Sequence, residues 1–149
     1  MALLTPALVG HPTLRRIELS SKVPDDEAAS AAGQLLAALL AANTPALLFL
    51  SMSDNPIGDD AARMLLPALT ANTHLLGLRL AEDTLSDAFI RNELRPVALA
   101  HPSLIFVMVD FWQRELIDVR AGRGEAKQTT YINWFDWVSR FDAANEGAP

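Results

Sequence analysis

The residues whose chemistry stands out in this sequence are three histidines, His11, His74 and His101, and two pairs of adjacent acids, Asp25-Asp26 and Asp59-Asp60. Imidazoles can hold a metal ion or move a proton, and paired carboxylates can divide general acid and base work between them. Spacing argues against both uses. His11-Pro12-Thr13-Leu14 and His101-Pro102-Ser103-Leu104 are near-copies at equivalent places three repeat units apart. At roughly 4.8 Å per neighbouring strand their rings stand on the order of 15 Å apart, against about 2 Å from each ligand to a shared ion. The histidines are expected instead to satisfy backbone groups in turns. Adjacent acids point in different directions, and acids are favoured at the positive N-terminal ends of helices, so both pairs read as helix openings. Ala121-Gly122-Arg123-Gly124-Glu125 reads as a loop without the strand-to-helix context of a phosphate cradle. With no cysteine, disulfides, thiolate metal sites and cysteine nucleophiles are excluded. No catalytic, metal or cofactor residue is assigned, and no enzymatic activity is expected.

The elements that must carry the remaining residues come from a chain of 149 residues, a length that suits one domain. Half of it is hydrophobic and 20% is charged, inside the range of folded proteins. Twelve Lys and Arg against eighteen Asp and Glu give a net charge of -6, which offers no general attraction to a phosphate backbone or anionic lipid. Nucleic acid is not an expected partner. The apolar stretch Ala31 to Met52 is divided by Gln34 and by Asn43-Thr44-Pro45, so no membrane insertion is expected. The beginning, Met1 to Pro6, lacks the positive region of a secretory signal, and a cytoplasmic location is the expectation.

A Leu-x-x-Leu-x-Leu spacing recurs four times: Leu14, Ile17, Leu19; Leu47, Leu50, Met52; Leu75, Leu78, Leu80; and Leu104, Val107, Val109. The copies start 33, 28 and 29 residues apart, about the length of a strand, a turn, a helix and a return. A second marker precedes each copy, at His11, Asn43, Asn72 and His101, spaced by 32, 29 and 29. Between markers the period changes. In the second unit the alternating segment Leu47 to Met52 leads through Ser53-Asp54-Asn55-Pro56-Ile57-Gly58 to a helical pattern with Ala62, Leu65, Leu66 and Leu69 on one face. Asp25-Asp26-Glu27 and Ser86-Asp87 introduce the helices around Ala28 to Ala42 and Ala88 to Ala100. Pro67 and Pro96 interrupt two of these patterns, predicting a kink or a restart there.

These residues resemble leucine-rich repeats of the ribonuclease-inhibitor type, whose units read Leu-x-x-Leu-x-Leu-x-x-Asn-x-Ile/Leu-Gly-Asp before a helix. Leu47, Leu50, Met52, Asn55, Ile57, Gly58 and Asp59 match nearly throughout, over a resemblance that runs from about Pro6 to Val109. Asp83, Lys22 and Trp112 replace the asparagine in the other units and confine the family's asparagine ladder to Asn55. The resemblance implies an α/β fold: a short leucine-rich-repeat solenoid forming a right-handed arc, with parallel strands on the concave face and helices on the convex face. Residues 1–109 would form the arc, with about four strand units and the first entered mid-helix, and 110–149 a C-terminal cap and tail. Tyr131, Ile132, Trp134, Phe135, Trp137, Val138 and Phe141 recur at helical spacing, predicting an aromatic capping helix with Thr129 or Thr130 as N-cap. Gln113 to Arg120 reads equally as helix or strand.

On each strand the pattern residues face the core and those between them face the opposite side. Two rows cross the sheet: Arg16, Phe49, Gly77, Phe106, and Glu18, Ser51, Arg79, Met108. Phe106 and Met108, followed by Phe111 and Trp112, have the composition of a binding hot spot, unless the C-terminal segment folds back over them. The expected function is a non-enzymatic protein-protein interaction module, with Arg16, Glu18, Phe49, Ser51, Arg79, Phe106 and Met108 as partner-binding residues. The rival is a structural accessory subunit docked through its N-terminal edge, where the first strand would meet another chain or a second copy, and through the aromatic helix.

Overall fold

Each Leu-x-x-Leu-x-Leu segment places one short strand, and each following apolar-periodic segment places helix. The computed structural model of the chain describes residues 5–19, 26–52, 55, 57–80, 85–109 and 116–118. Helix α1 (Thr5–Leu8) is followed by β1 (Arg16–Glu18), α2 (Asp26–Ala41), β2 (Phe49–Ser51), α3 (Asp59–Arg63), α4 (Leu66–Ala71) and β3 (Gly77–Arg79). Then come α5 (Asp87–Phe89), a π-helical turn (Ile90–Leu94), α6 (Arg95–Ala100), β4 (Phe106–Met108) and β5 (Leu116–Asp118). The fold is α/β.

The five strands lie in sequence order in one sheet. The first four are parallel and in register without slip: Ile17, Leu50, Leu78 and Val107 form one line across the sheet. These four point into the main core, which the helices close. Along the layer α1 packs on α2, α2 on α3 and α4, and α4 on α6. Leu47, Leu75 and Leu104 ahead of the strands, and Met52, Leu80 and Val109 after them, are buried in the same core, whereas Leu14 and Leu19 of the first unit are half-buried at its margin. The layer is tight where α2 meets α3: a Cβ on Gly33 would lie 3.1 Å from the Ala61 carbonyl oxygen.

The chain accommodates Pro67 and Pro96 by different routes. After Arg63 the chain breaks at Met64-Leu65, and α4 begins with Pro67 in its first turn, where a missing N–H leaves no bond unmade. In the next unit α5 runs through the π turn into α6, with Pro96 again in the first turn, and the Arg95 N–H donates to Ile90 O, five residues back. The wider turn takes the chain past the carbonyl that the Pro96 ring would crowd.

The expectation of a purely parallel sheet is corrected at its far end. β5 pairs antiparallel with β4, with Phe106 opposite Asp118 and Met108 opposite Leu116. Seven residues separate these strands, too few for the dozen or more that a parallel crossover needs. The ambiguous segment Gln113 to Arg120 thus contains a strand, and residues beyond 109 extend the same sheet. Ser20 to Asp25, Phe111, Trp112 and the whole aromatic segment Tyr131 to Phe141 lie outside the described residues, as do Leu3 and Leu4. Among the described residues no helix is long and apolar enough to cross a membrane.

Candidate functional site

The strand register brings together the two rows expected from sequence on the sheet face opposite the helices. Arg16, Phe49, Gly77 and Phe106 are direct partners across the four strands, and so are Glu18, Ser51, Arg79 and Met108. Because the strands are parallel and unslipped, residues equivalent in the repeat become neighbours about one strand spacing apart.

Burial divides these rows. Phe49, Ser51 and Phe106 are 2%, 1% and 7% exposed. Arg79 and Met108 are half-buried, Arg16 likewise, and Glu18 is exposed. The expectation that Phe49, Ser51 and Phe106 present open surface is therefore corrected. For the aromatics, one reason lies in Gly77. A Cβ there would fall 2.6 Å from Phe106 Cζ and 2.8 Å from Phe49 Cδ1 and Cε1. The two rings lean inward from β2 and β4 and fill the space that β3 leaves empty, an arrangement by which aromatic neighbours cover a glycine in a sheet. Leu48, Leu76, Ile105 and Met108 pack around them, making a second apolar cluster apart from the helix-side core.

At the β1 end the face is ionic. Arg16 Nε donates to Glu18 Oε1 at 3.0 Å, and Arg16 Nη2 pairs with the same carboxylate. Both side chains rise from the same side of a strand, two residues apart, which is what alternation requires.

His11 and His101 serve the turns, as their positions predict. His101 Nδ1 accepts from Leu104 N at 3.0 Å and from Ser103 N at 3.3 Å. Asn72 does the same work one unit earlier: its Oδ1 accepts from Leu75 N at 2.8 Å and His74 N at 3.0 Å. His11 Nδ1 accepts from Thr13 N at 3.4 Å in an exposed copy of the turn. Asn43 differs. It precedes its strand pattern by one residue more than the other three markers do, adopts a left-handed φ of 46° after α2, and binds the next unit instead. Its Oδ1 accepts from Thr73 N at 2.8 Å and lies 3.0 Å from His74 Nδ1. Burial pushes the His101 pKa down from its ordinary value.

Asp59 opens α3, preceded by an extended Gly58 that supplies no side-chain cap. Its carboxylate reaches the following unit, accepting from Ser86 Oγ at 2.6 Å and Ser86 N at 2.8 Å. These bonds hold it below the usual carboxylate range, the hydroxyl contributing most. Ser86 in turn caps α5, accepting from Phe89 N at 3.1 Å. Arg63 forms a two-pronged pair with Glu93, at 2.7 and 2.9 Å, meets Asp60 at 2.6 Å, and lies over the Phe89 ring at 5.6 Å. The guanidinium holds Glu93 below its ordinary range. Sequence reasoning missed these ties. Their signal is present: Asp59 to Ser86 and Arg63 to Glu93 are complementary groups 27 and 30 residues apart, about one repeat.

Among the described residues no group of three or more His, Asp or Glu is placed to hold a metal ion. No protein-family model matches the chain, and no curated protein matches it either.

Proposed function

We propose that this chain is a short leucine-rich-repeat arc of the ribonuclease-inhibitor type and that it acts, without catalysis, by binding a partner protein through the sheet face opposite its helices. The observation that carries this reading is the unslipped register, which assembles Arg16, Glu18, Arg79 and Met108 around the Phe49–Gly77–Phe106 floor. Such a face is preformed on strands, so little ordering entropy is spent on binding. Half-buried Met108 beside Arg79, with Arg16 and Glu18 at the β1 end, gives the mixed apolar and charged surface that protein interfaces use.

The repeat reading draws further support from side-chain bonds that step about one unit along the chain. Asn55 Nδ2 donates to Leu19 O at 2.6 Å, Asn72 Nδ2 to Leu40 O at 2.9 Å, and Ser103 Oγ to Leu75 O at 2.9 Å. A non-catalytic role is favoured by how the reactive groups are spent: His11 and His101 accept from their own turns, and Asp59 is committed to Ser86.

The test is a photo-crosslinking residue placed at Met108, with a second variant carrying it at Arg91 on the helix side, each exposed to lysate of the source cells. The reading expects a discrete protein adduct from Met108 that is absent from Arg91. Equal adducts from both positions, or none from Met108, would overturn it. Phe106→Ala is a poor probe, because Phe106 packs with Phe49 and its loss disturbs the floor itself.

A further inference from the structure

We propose that His101 is an acid-released latch on the turn that launches β4. Two backbone N–H groups converge on Nδ1, from Leu104 at 3.0 Å and Ser103 at 3.3 Å. An acceptor at Nδ1 fixes the neutral tautomer with its proton on Nε2. Adding a proton to Nδ1 sets three N–H groups against one another and removes both hydrogen bonds at once. The residue is 6% exposed, and among the described residues Nε2 has no hydrogen-bond partner to share the new charge. Ser103 Oγ, which gives its proton to Leu75 O, lies 3.5 Å from Nδ1 and is the one acceptor near it among the described residues. A buried cation held by so long a contact is costly, so protonation is coupled to opening of the turn.

The turn holds more than itself. Leu104 is part of the helix-side core, Ser103 Oγ ties the turn to Leu75 O in the preceding unit, and two residues on begins the strand that carries Phe106 and Met108. Opening it frees the β4 side of the sheet while the turn ahead of β3 stays closed by Asn72. Asn72 shows the same turn built without a titratable group, accepting the equivalent two N–H bonds and also donating to Leu40 O at 2.9 Å.

The charged and titratable groups around the latch are few. Among the described residues, α4 and β4 carry none, α6 carries Arg95 at its opposite end, β3 carries Arg79, β5 carries Asp118 opposite Phe106, and the neighbouring turn carries His74, engaged with Asn43. Burial is the cause that lowers the His101 pKa. The linkage follows in sign. An unfolded chain takes up a proton at about pH 6.5, and the folded His101 resists it, so its stabilisation is complete above that value and declines as pH falls through it toward the lowered folded value. Asp59 and Glu93 are held below the ordinary carboxylate range, so the stability they contribute is lost only at still lower pH. The two steps are separable.

This inference does not depend on the binding reading. The test is an NMR titration of the unsubstituted protein's histidines, with amide hydrogen exchange between about pH 7.5 and about pH 5 corrected for intrinsic rates. His101 should titrate below an ordinary imidazole, and the Leu104 amide should exchange several-fold faster at the lower pH. His101→Asn, which installs the residue found at the equivalent place in the preceding unit, should abolish that acceleration, and His11→Asn should leave it intact. Titration of His101 at or above the ordinary value would overturn the proposal, as would acid acceleration persisting in His101→Asn. Should that variant fail to fold, the titration of the unsubstituted chain still decides.

Discussion

The two faces of one sheet obey different rules. Toward the helices stand Ile17, Leu50, Leu78 and Val107, all aliphatic, the last three with no exposed surface. Toward the other side, in register one residue earlier, stand Arg16, Phe49, Gly77 and Phe106: a charge, a ring, no side chain, a ring. Uniformity on the first face follows from repetition, since each unit must fill the same layer between strand and helix with the same volume. On the second face a residue is constrained only by its neighbours. Gly77 is required because Phe49 and Phe106 occupy its place.

The largest effect should come from the uniform face. Leu78→Ala empties a fully buried site between sheet and helices, and Leu-to-Ala changes in such cores cost roughly 2 to 5 kcal/mol. Urea denaturation measures it. A loss well below that range would mean the helix layer collapses onto the gap and that the two faces are less different than their packing indicates.

Gly77→Ala tests the other face. The added methyl must push back Phe106 Cζ and Phe49 Cδ1 and Cε1, and overpacking of this kind costs about 1 to 3 kcal/mol. The atoms that must give way are far parts of side chains, which keeps the cost below that of a clash with backbone. Removing the Phe106 ring makes room, so Gly77→Ala should be milder in a Phe106→Ala background. A double-mutant cycle reads the difference as a coupling energy. Strict additivity would show that the rings do not fill the glycine's space.

Asn55→Ala belongs to neither face and should fall near or below the glycine change. Asn55 is buried and donates to Leu19 O at 2.6 Å, across to the preceding unit. Truncation leaves that carbonyl short of a partner, for about 1 to 3 kcal/mol. The same substitution at the exposed Thr13 should be nearly silent. Equal effects would deny Asn55 its part in joining units.

How much of this was legible in the sequence follows from what repeats. The strand register, the core-facing line and the two rows could be read because equivalent positions in parallel units become lateral neighbours, so spacing along the chain translates directly into adjacency. An interruption at Pro67 and at Pro96 was legible because proline lacks an N–H, but not that the first is a break and the second a π turn. The Gly77 position was visible in its row, yet not its consequence, because periodicity carries no information about ring orientation. The direction of β5 was hidden by the ambiguity of Gln113 to Arg120, although the shortness of the connection before it favoured an antiparallel return. Asn43 misled by one residue: it sits a place earlier relative to its strand than His11, Asn72 and His101, and that offset turns an acceptor for its own turn into a left-handed helix end bound to Thr73. The burial of Phe49, Ser51 and Phe106 could not be read from alternation, which assigns a side of the sheet and says nothing of what lies on that side.

The smallest effect on stability, and the sharpest on behaviour, should come from the charged end of the second face. β1 is the first strand of the sheet, and among the described residues it pairs only with β2. A strand edge left open invites pairing with another chain, and natural proteins blunt such edges with short length and charge. β1 has both, being three residues long with Arg16 and Glu18 paired across the outward face. Their side chains keep 31% and 38% of their surface in water, and surface pairs are worth about 0 to 1 kcal/mol, so Arg16→Thr with Glu18→Thr should barely move the urea midpoint. Threonine favours the strand as well as either charged residue does. What the substitution removes is the barrier against a second edge. Light scattering across a concentration series should then show association in the double variant where the unsubstituted chain shows less. If both associate equally, the charges do not guard the edge, and the β1 side of the sheet loses its distinction from the rest of the second face.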